Sequence, residues 1–117
     1  MAHVDPLPHP LPARLAEEIA RKFRAIGEPT RIRLLDRLRD GEASVQELTD
    51  ALGTSQQNVS KHLGILASSG ILSRRRDGNR VLYAVADDSV FELCATVCGG
   101  LRRQLSELDE LLAGAAQ

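Results

Sequence analysis

Three groups of side chains in this 117-residue chain have the types and spacing to do chemistry. The first lies in residues 54–66, where Val59, Leu63 and Leu66 fall at helical spacing and leave a polar face of Gln56, Gln57, Asn58, Ser60 and Lys61. Ser55 stands at the N-cap position, and no carboxylate occurs in the run. Side-chain amides can pair bidentately with adenine, and lysine with guanine or phosphate, so this face is suited to reading duplex DNA. The plainer alternative is a solvated polar face. The second group is Arg74, Arg75, Arg76 and Arg80 around Asp77-Gly78. The third is Cys94 and Cys98, four residues apart, which sends both thiols from one helix face. Such a pair can take a soft ion (arsenite, cadmium, copper(I) or zinc), can oxidise or carry persulfide sulfur, or can serve as two small buried hydrophobes at a tight helix crossing.

The elements that must position these groups follow from periodicity. Residues 1–12, with Pro6, Pro8, Pro10 and Pro12, show none and are expected to form a flexible arm. His3, Asp5 and His9 on that arm could coordinate a metal, but two histidines on a tail are weak grounds. Leu15, Ile19, Phe23 and Ile26 mark a first helix that Gly27 stops. Pro29 opens a second, with Ile32, Leu34, Leu35 and Leu38 as its apolar face. Arg31, Arg33, Arg37 and Arg39 ride on it, mostly solvated, with one or two able to reach a phosphate. Ser44 and Glu47 predict a capping box for a short helix buried through Val45, Leu48 and Leu52. A tight turn at Gly53 then leads into the polar-faced helix, which makes a helix-turn-helix.

After Gly70 the period becomes two. Residues 71–76 and 79–85 read as strands joined by Asp77-Gly78, a two-residue hairpin signal. A hairpin tipped with arginine beside a helix-turn-helix is a wing that can grip phosphates or enter a minor groove. An edge hairpin kept soluble by charge is the alternative, but four arginines so close would repel one another without a polyanion. In the last helix, from about residue 87 or 88 to 112, Phe91, Cys94, Cys98, Leu101, Leu105, Leu108 and Leu112 make a heptad seam. Val90, Leu93 and Val97 form a second stripe beside it, able to pack on the domain's own core. Two stripes imply two packing partners, one of which can be another subunit.

Composition narrows the function. The length suits one domain, residues 13–117, and aromatic residues are only 3%, so the core must be aliphatic. Net charge is −1, but the cations cluster: residues 55–80 hold Lys61 and the four arginines against Asp77 alone. No apolar run is long enough for a membrane span, no secretory signal opens the chain, and two cysteines do not make a disulfide scaffold, so a cytoplasmic protein is expected. An enzyme is not indicated. Cys-x3-Cys inside a helix is not a reactive dithiol at a helix start, and neither a nucleophile–base pair nor a phosphate loop occurs.

The ordered combination resembles the ArsR/SmtB winged-helix repressors of bacteria. The resemblance rests on Phe23-Arg24-Ala25-Ile26-Gly27-Glu28-Pro29-Thr30-Arg31, on residues 55–66 and on Arg76-Asp77-Gly78-Asn79-Arg80-Val81-Leu82-Tyr83. It implies a mainly α fold with a small β-hairpin (α+β), dimerised through its first and last helices, with Leu15, Ile19, Phe91, Cys94, Cys98, Leu101, Leu105 and Leu108 at the interface. It also implies binding of a double-stranded, pseudo-palindromic operator, with Gln56, Gln57, Ser60 and Lys61 in the major groove, Arg76 and Arg80 on the flanking backbone, and release by an inducer. His62 matches a family position that is structural. Two metal sites known in the family lack their ligands here. Ser44, Val45 and Gln46 stand where one uses cysteines, and beside Asp87 the other would meet Ser89, Gly100 and Arg103. Cys94 and Cys98 remain as the sensor candidates, the alternative being a regulator whose cysteines are structural. A winged helix used only for protein contact is the other rival; it would show little salt dependence and no DNA selectivity.

Overall fold

In a computed structural model, residues 6–115 are described. His3 and Asp5 lie outside them, and His9 is exposed. The chain divides into two compact units, Met1–Ala86 and Asp87–Gln117. The first contains α1 (Ala13–Ile26), α2 (Pro29–Leu38), β1 (Ala43–Ser44), α3 (Val45–Leu52), α4 (Gln56–Ser68), β2 (Leu72–Asp77) and β3 (Arg80–Val85). The second is α5 (Ser89–Ala115).

The helix α4 is the hub of the first unit, packing on α1, α2, α3 and β2. Its buried stripe is Val59, Leu63 and Leu66, which together with Leu34 and Leu35 of α2, Leu48 of α3 and Ile71 makes up a core of buried aliphatics. Each such side chain contributes about 1.5–3 kcal/mol through removal from water. On α2, Ile32 departs from the expected face and is 43% exposed, as is Phe23 of α1 at 53%.

Local chemistry sets the boundaries. Glu28 caps α2 by accepting the Arg31 N–H, and Pro29 occupies the first turn, where its missing donor is harmless. The capping box at α3 is formed: Ser44 Oγ accepts the Glu47 N–H at 3.1 Å, and Glu47 Oε1 accepts the Ser44 N–H at 3.1 Å. Replacing Ser44 with Ala should lower unfolding stability by about 1 kcal/mol in urea denaturation. An unchanged midpoint would show the cap to be dispensable. Gly53 closes α3 with φ +71°, a left-handed conformation that side chains with a Cβ resist.

The β structure is a three-stranded antiparallel sheet in the order β1-β3-β2, one strand more than the expected hairpin. The extra strand is only Ala43 and Ser44, opposite Tyr83 and Leu82. The hairpin turn is also shifted by one residue from expectation. Asp77 pairs with Arg80, so the two loop residues are Gly78 and Asn79. Gly78 takes φ +62° and Asn79 stays negative, the sign pattern of a type II′ turn with glycine first.

In the second unit, Asp87 Oδ1 accepts the Ser89 N–H where α5 begins. Of the expected second stripe, Val90 is buried and Leu93 half-buried, whereas Val97 is 55% exposed, so that stripe stops short. Along the heptad seam Phe91 and Cys94 are half-buried, and Cys98, Leu101, Leu105, Leu108 and Leu112 are exposed. Among the described residues no helix is long and apolar enough to cross a membrane.

Candidate nucleic-acid interface

The helix-turn-helix consists of α3, the three residues Gly53, Thr54 and Ser55, and α4. Gln56, Gln57, Ser60 and Lys61 are all exposed on α4, as is Gly64 one turn beyond Ser60. Spacings of four residues align Gln56, Ser60 and Gly64 in one row and Gln57 with Lys61 in the next. The first turn carries no acid, so the positive end of the helix dipole is uncompensated there. Two of the sequence candidates have other duties. Ser55 Oγ accepts the Asn58 N–H at 3.1 Å, and the Asn58 amide donates to Thr54 Oγ1 at 3.2 Å. Both side chains therefore hold the start of the helix in shape.

The four wing arginines divide in the same way. Strand alternation places Arg74 and Arg76 on one face, opposite Tyr83 and Val81, and Arg75 on the other, opposite Leu82. Arg75 is bound to Glu42 by a two-pronged ion pair, its Nε donating to Oε2 at 3.0 Å. The Arg75 guanidinium holds the Glu42 carboxyl below its ordinary range, chiefly through this hydrogen bond. Because the shift is downward, the pair's contribution is present above the ordinary carboxylate pKa and is lost as pH falls through the lowered value. Arg80 lies 3.6 Å from Glu47 and 3.5 Å from Asp77. Glu47 is also held below its ordinary range, first by the Ser44 backbone hydrogen bond and then by the Ser44 side chain, with Arg80 adding a smaller pull.

Mutual repulsion of four bare arginines is therefore not what the wing faces, because acids of the same chain neutralise two of them. Lys61, Arg74 and Arg76 have no ion pair among the described residues and stand exposed. Their charges are available to an outside anion. The acids Glu42 and Glu47, which shape the wing, were not singled out for that role by sequence. Glu47 was visible only as half of the capping box, and Glu42 sits 33 positions from its partner.

The arginines of α2 also differ from expectation. Arg31 donates to the Ala25 and Arg24 carbonyls and Arg33 to the Leu52 carbonyl, so both serve the fold. Arg39 falls just past the helix end as its C-cap. An open cleft of about 460 Å³ beside them mixes Arg33, Arg37 and Arg39 with Asp36 and Asp40, a balance that does not single out an anion.

Cys94 and Cys98 are free thiols, the first half-buried and the second exposed. Among the described residues no group of three or more His, Cys, Asp or Glu could hold a metal ion.

Comparison with known proteins places this arrangement. A helix-turn-helix domain family matches residues 26–75. Rv0081, an uncharacterized HTH-type transcriptional regulator of Mycobacterium tuberculosis, is 37% identical over 97 residues, covering 79% of this chain and 85% of the relative. A probable mercury resistance operon repressor of Streptomyces lividans is 40% identical over 83 residues, 71% of this chain and 66% of its own. The HTH-type transcriptional repressor SmtB of M. tuberculosis is 37% identical over 86 residues, 74% of this chain and 64% of its own. Among solved structures, the Rv0081 crystal structure superposes with a TM-score of 0.72 at 35% identity, over 82% of this chain and 97% of that one. The homodimeric winged helix-turn-helix DNA-binding domain of Mb0332 from Mycobacterium bovis, a possible ArsR-family regulator, gives 0.70 at 29% identity, over 88% and 94%.

Proposed function

The chain belongs to the ArsR/SmtB family of winged helix-turn-helix transcriptional repressors, and on that premise we propose that it represses from a two-fold-related operator that it binds as a homodimer. The observation that carries this is the pairing of a carboxylate-free reading face on α4 with Lys61, Arg74 and Arg76, cations that are unpaired among the described residues. In this arrangement Gln56, Gln57, Ser60 and Lys61 read or flank the major groove, and Arg74 and Arg76 hold the neighbouring backbone. Ser55, Asn58, Arg75 and Arg80 act one step back, shaping the helix start and the hairpin. The homodimeric state of the Mb0332 domain supports dimerisation here, and the exposed seam of α5, with Leu15 and Ile19 of α1, supplies apolar surface for it.

For the inducer, we assign the sensing role to Cys94 and Cys98. A one-turn thiol pair provides two soft ligands, and any others would come from a second copy. The similarity to a probable mercury resistance operon repressor favours a soft metal or metalloid over a thiol oxidant. The residues fit such an ion by donor chemistry, since soft thiolates select soft ions over harder cations.

The experiment is titration of fluorescent duplexes from the chain's own promoter region. The expected preference over random DNA is on the order of a thousandfold at physiological salt. Mercury(II), arsenite, cadmium or persulfide should then release the operator from wild type and not from Cys94→Ser/Cys98→Ser. Equal binding to random DNA would overturn the repressor assignment, and an unaltered response of the double variant would overturn the sensor assignment alone.

A further inference from the structure

Among the described residues, His62 is the only buried imidazole, and it lies on the back of the reading helix beside Lys61. Its Nδ1 is 3.0 Å from Arg31 Nη1 and 3.6 Å from Glu28 Oε2. Guanidinium has only donors, so Nδ1 accepts from Arg31, and the ring is neutral with its proton on Nε2. Arg31 is itself anchored. Its Nε donates to the Ala25 carbonyl at 2.6 Å and its Nη2 to the Arg24 carbonyl at 3.1 Å, at the end of α1 where carbonyls lack helical partners and the dipole is negative. Glu28 both caps α2 and approaches the ring.

We propose that His62 and Arg31 are positioning residues for operator recognition, linking the end of α1 to the reading helix α4 through a bond that histidine protonation breaks. The inference rests on the operator-binding function. In the neutral state the Nδ1 lone pair holds Arg31, and the α1–α2 corner fixes the roll of α4. A proton on Nδ1 removes that acceptor, sets two cations 3.0 Å apart and turns the new N–H toward Glu28. The charged groups facing the ring are Arg31 and Glu28, both from the start of α2. Of the other elements packed on α4, α1 offers carbonyls through Arg31, while the buried residues of α3 and of the start of β2 are the apolar Leu48, Leu52 and Leu72. Among the described residues no other hydrogen bond or ion pair reaches the ring. Because Gln57 and Lys61 share the helix with His62, a change of roll moves them relative to a groove.

The test measures operator affinity of the full chain from pH 8 to 5.5, with circular dichroism and dimer mass followed in parallel. Wild-type affinity should fall on acidification across this range. That direction opposes the usual tightening of DNA binding as a protein gains positive charge. His62→Asn, which keeps an acceptor near the place of Nδ1, should bind nearly as wild type at pH 8 and lose the acid response. His62→Leu should bind about tenfold more weakly at pH 8 with unchanged dimer mass. A wild-type pH profile that is flat or rises on acidification overturns the switch, whether or not the variants fold. Full operator affinity in His62→Leu overturns the positioning role. Absence of any operator preference in the wild type would instead bring down the repressor assignment, and this inference with it.

Discussion

Alanine at Lys61, Arg74 and Arg76 together should lower operator affinity on the order of a hundredfold or more at physiological salt, leaving the fold intact. These three are exposed and, among the described residues, have no ion pair with an acid. In a dimer the substitutions remove up to six phosphate contacts. Each contact contributes about 0.9 to the slope of log affinity against log salt, so the slope should flatten by roughly five. Arg75→Ala provides the contrast. Its charge is already answered by Glu42, so the slope should change far less, although the hairpin loses a tether. Fluorescence titrations at several salt concentrations measure both. A triple variant with the wild-type slope, or an Arg75→Ala with the larger change, would mean that the wrong arginines have been assigned to DNA.

The largest effect on stability is expected at Leu63. It is fully buried on the opposite side of α4 from the exposed Lys61, and α4 packs on four other elements. Leu63→Ala should cost about 3–4 kcal/mol, combining lost transfer energy with the cavity left in a packed aliphatic core. Lys61→Ala, two positions away but exposed, should fall within about 0.5 kcal/mol of wild type. Urea unfolding of the two variants side by side tests whether one helix carries stability on one face and recognition on the other. Comparable losses would refute that division.

Much of this architecture is legible in the residues because its signals are local. The capping box at Ser44 and Glu47, the left-handed Gly53 and the apolar stripe through Val59, Leu63 and Leu66 each lie within one or two helical turns. Strand β1 leaves no such trace: two residues cannot display a period, and Ala43 and Ser44 become a strand only because Tyr83 and Leu82 stand opposite. The turn register is not encoded locally, because Asp-Gly and Gly-Asn are both acceptable loop pairs. The choice falls to the Asp77–Arg80 pairing, which leaves glycine at the position of positive φ. The contacts that sort the arginines join residues far apart in the chain. Glu42 meets Arg75 across 33 positions and Arg31 meets His62 across 31, and no periodicity encodes either.

Glu47 ties two parts of the molecule together, since it closes the first turn of α3 and lies beside Arg80 next to the hairpin loop. With Glu42 on Arg75, the ribbon is moored at two points by pairs that water and ions can reach. Exposed pairs of this kind are worth little and weaken as electrolyte is added. Ionic strength therefore acts on this molecule twice: once at the polyanion, by changing what is gained when counterions leave, and once inside the protein, by slackening the ribbon's moorings. A phosphate count taken from salt dependence alone would be too high, and the excess would measure the compliance of the ribbon.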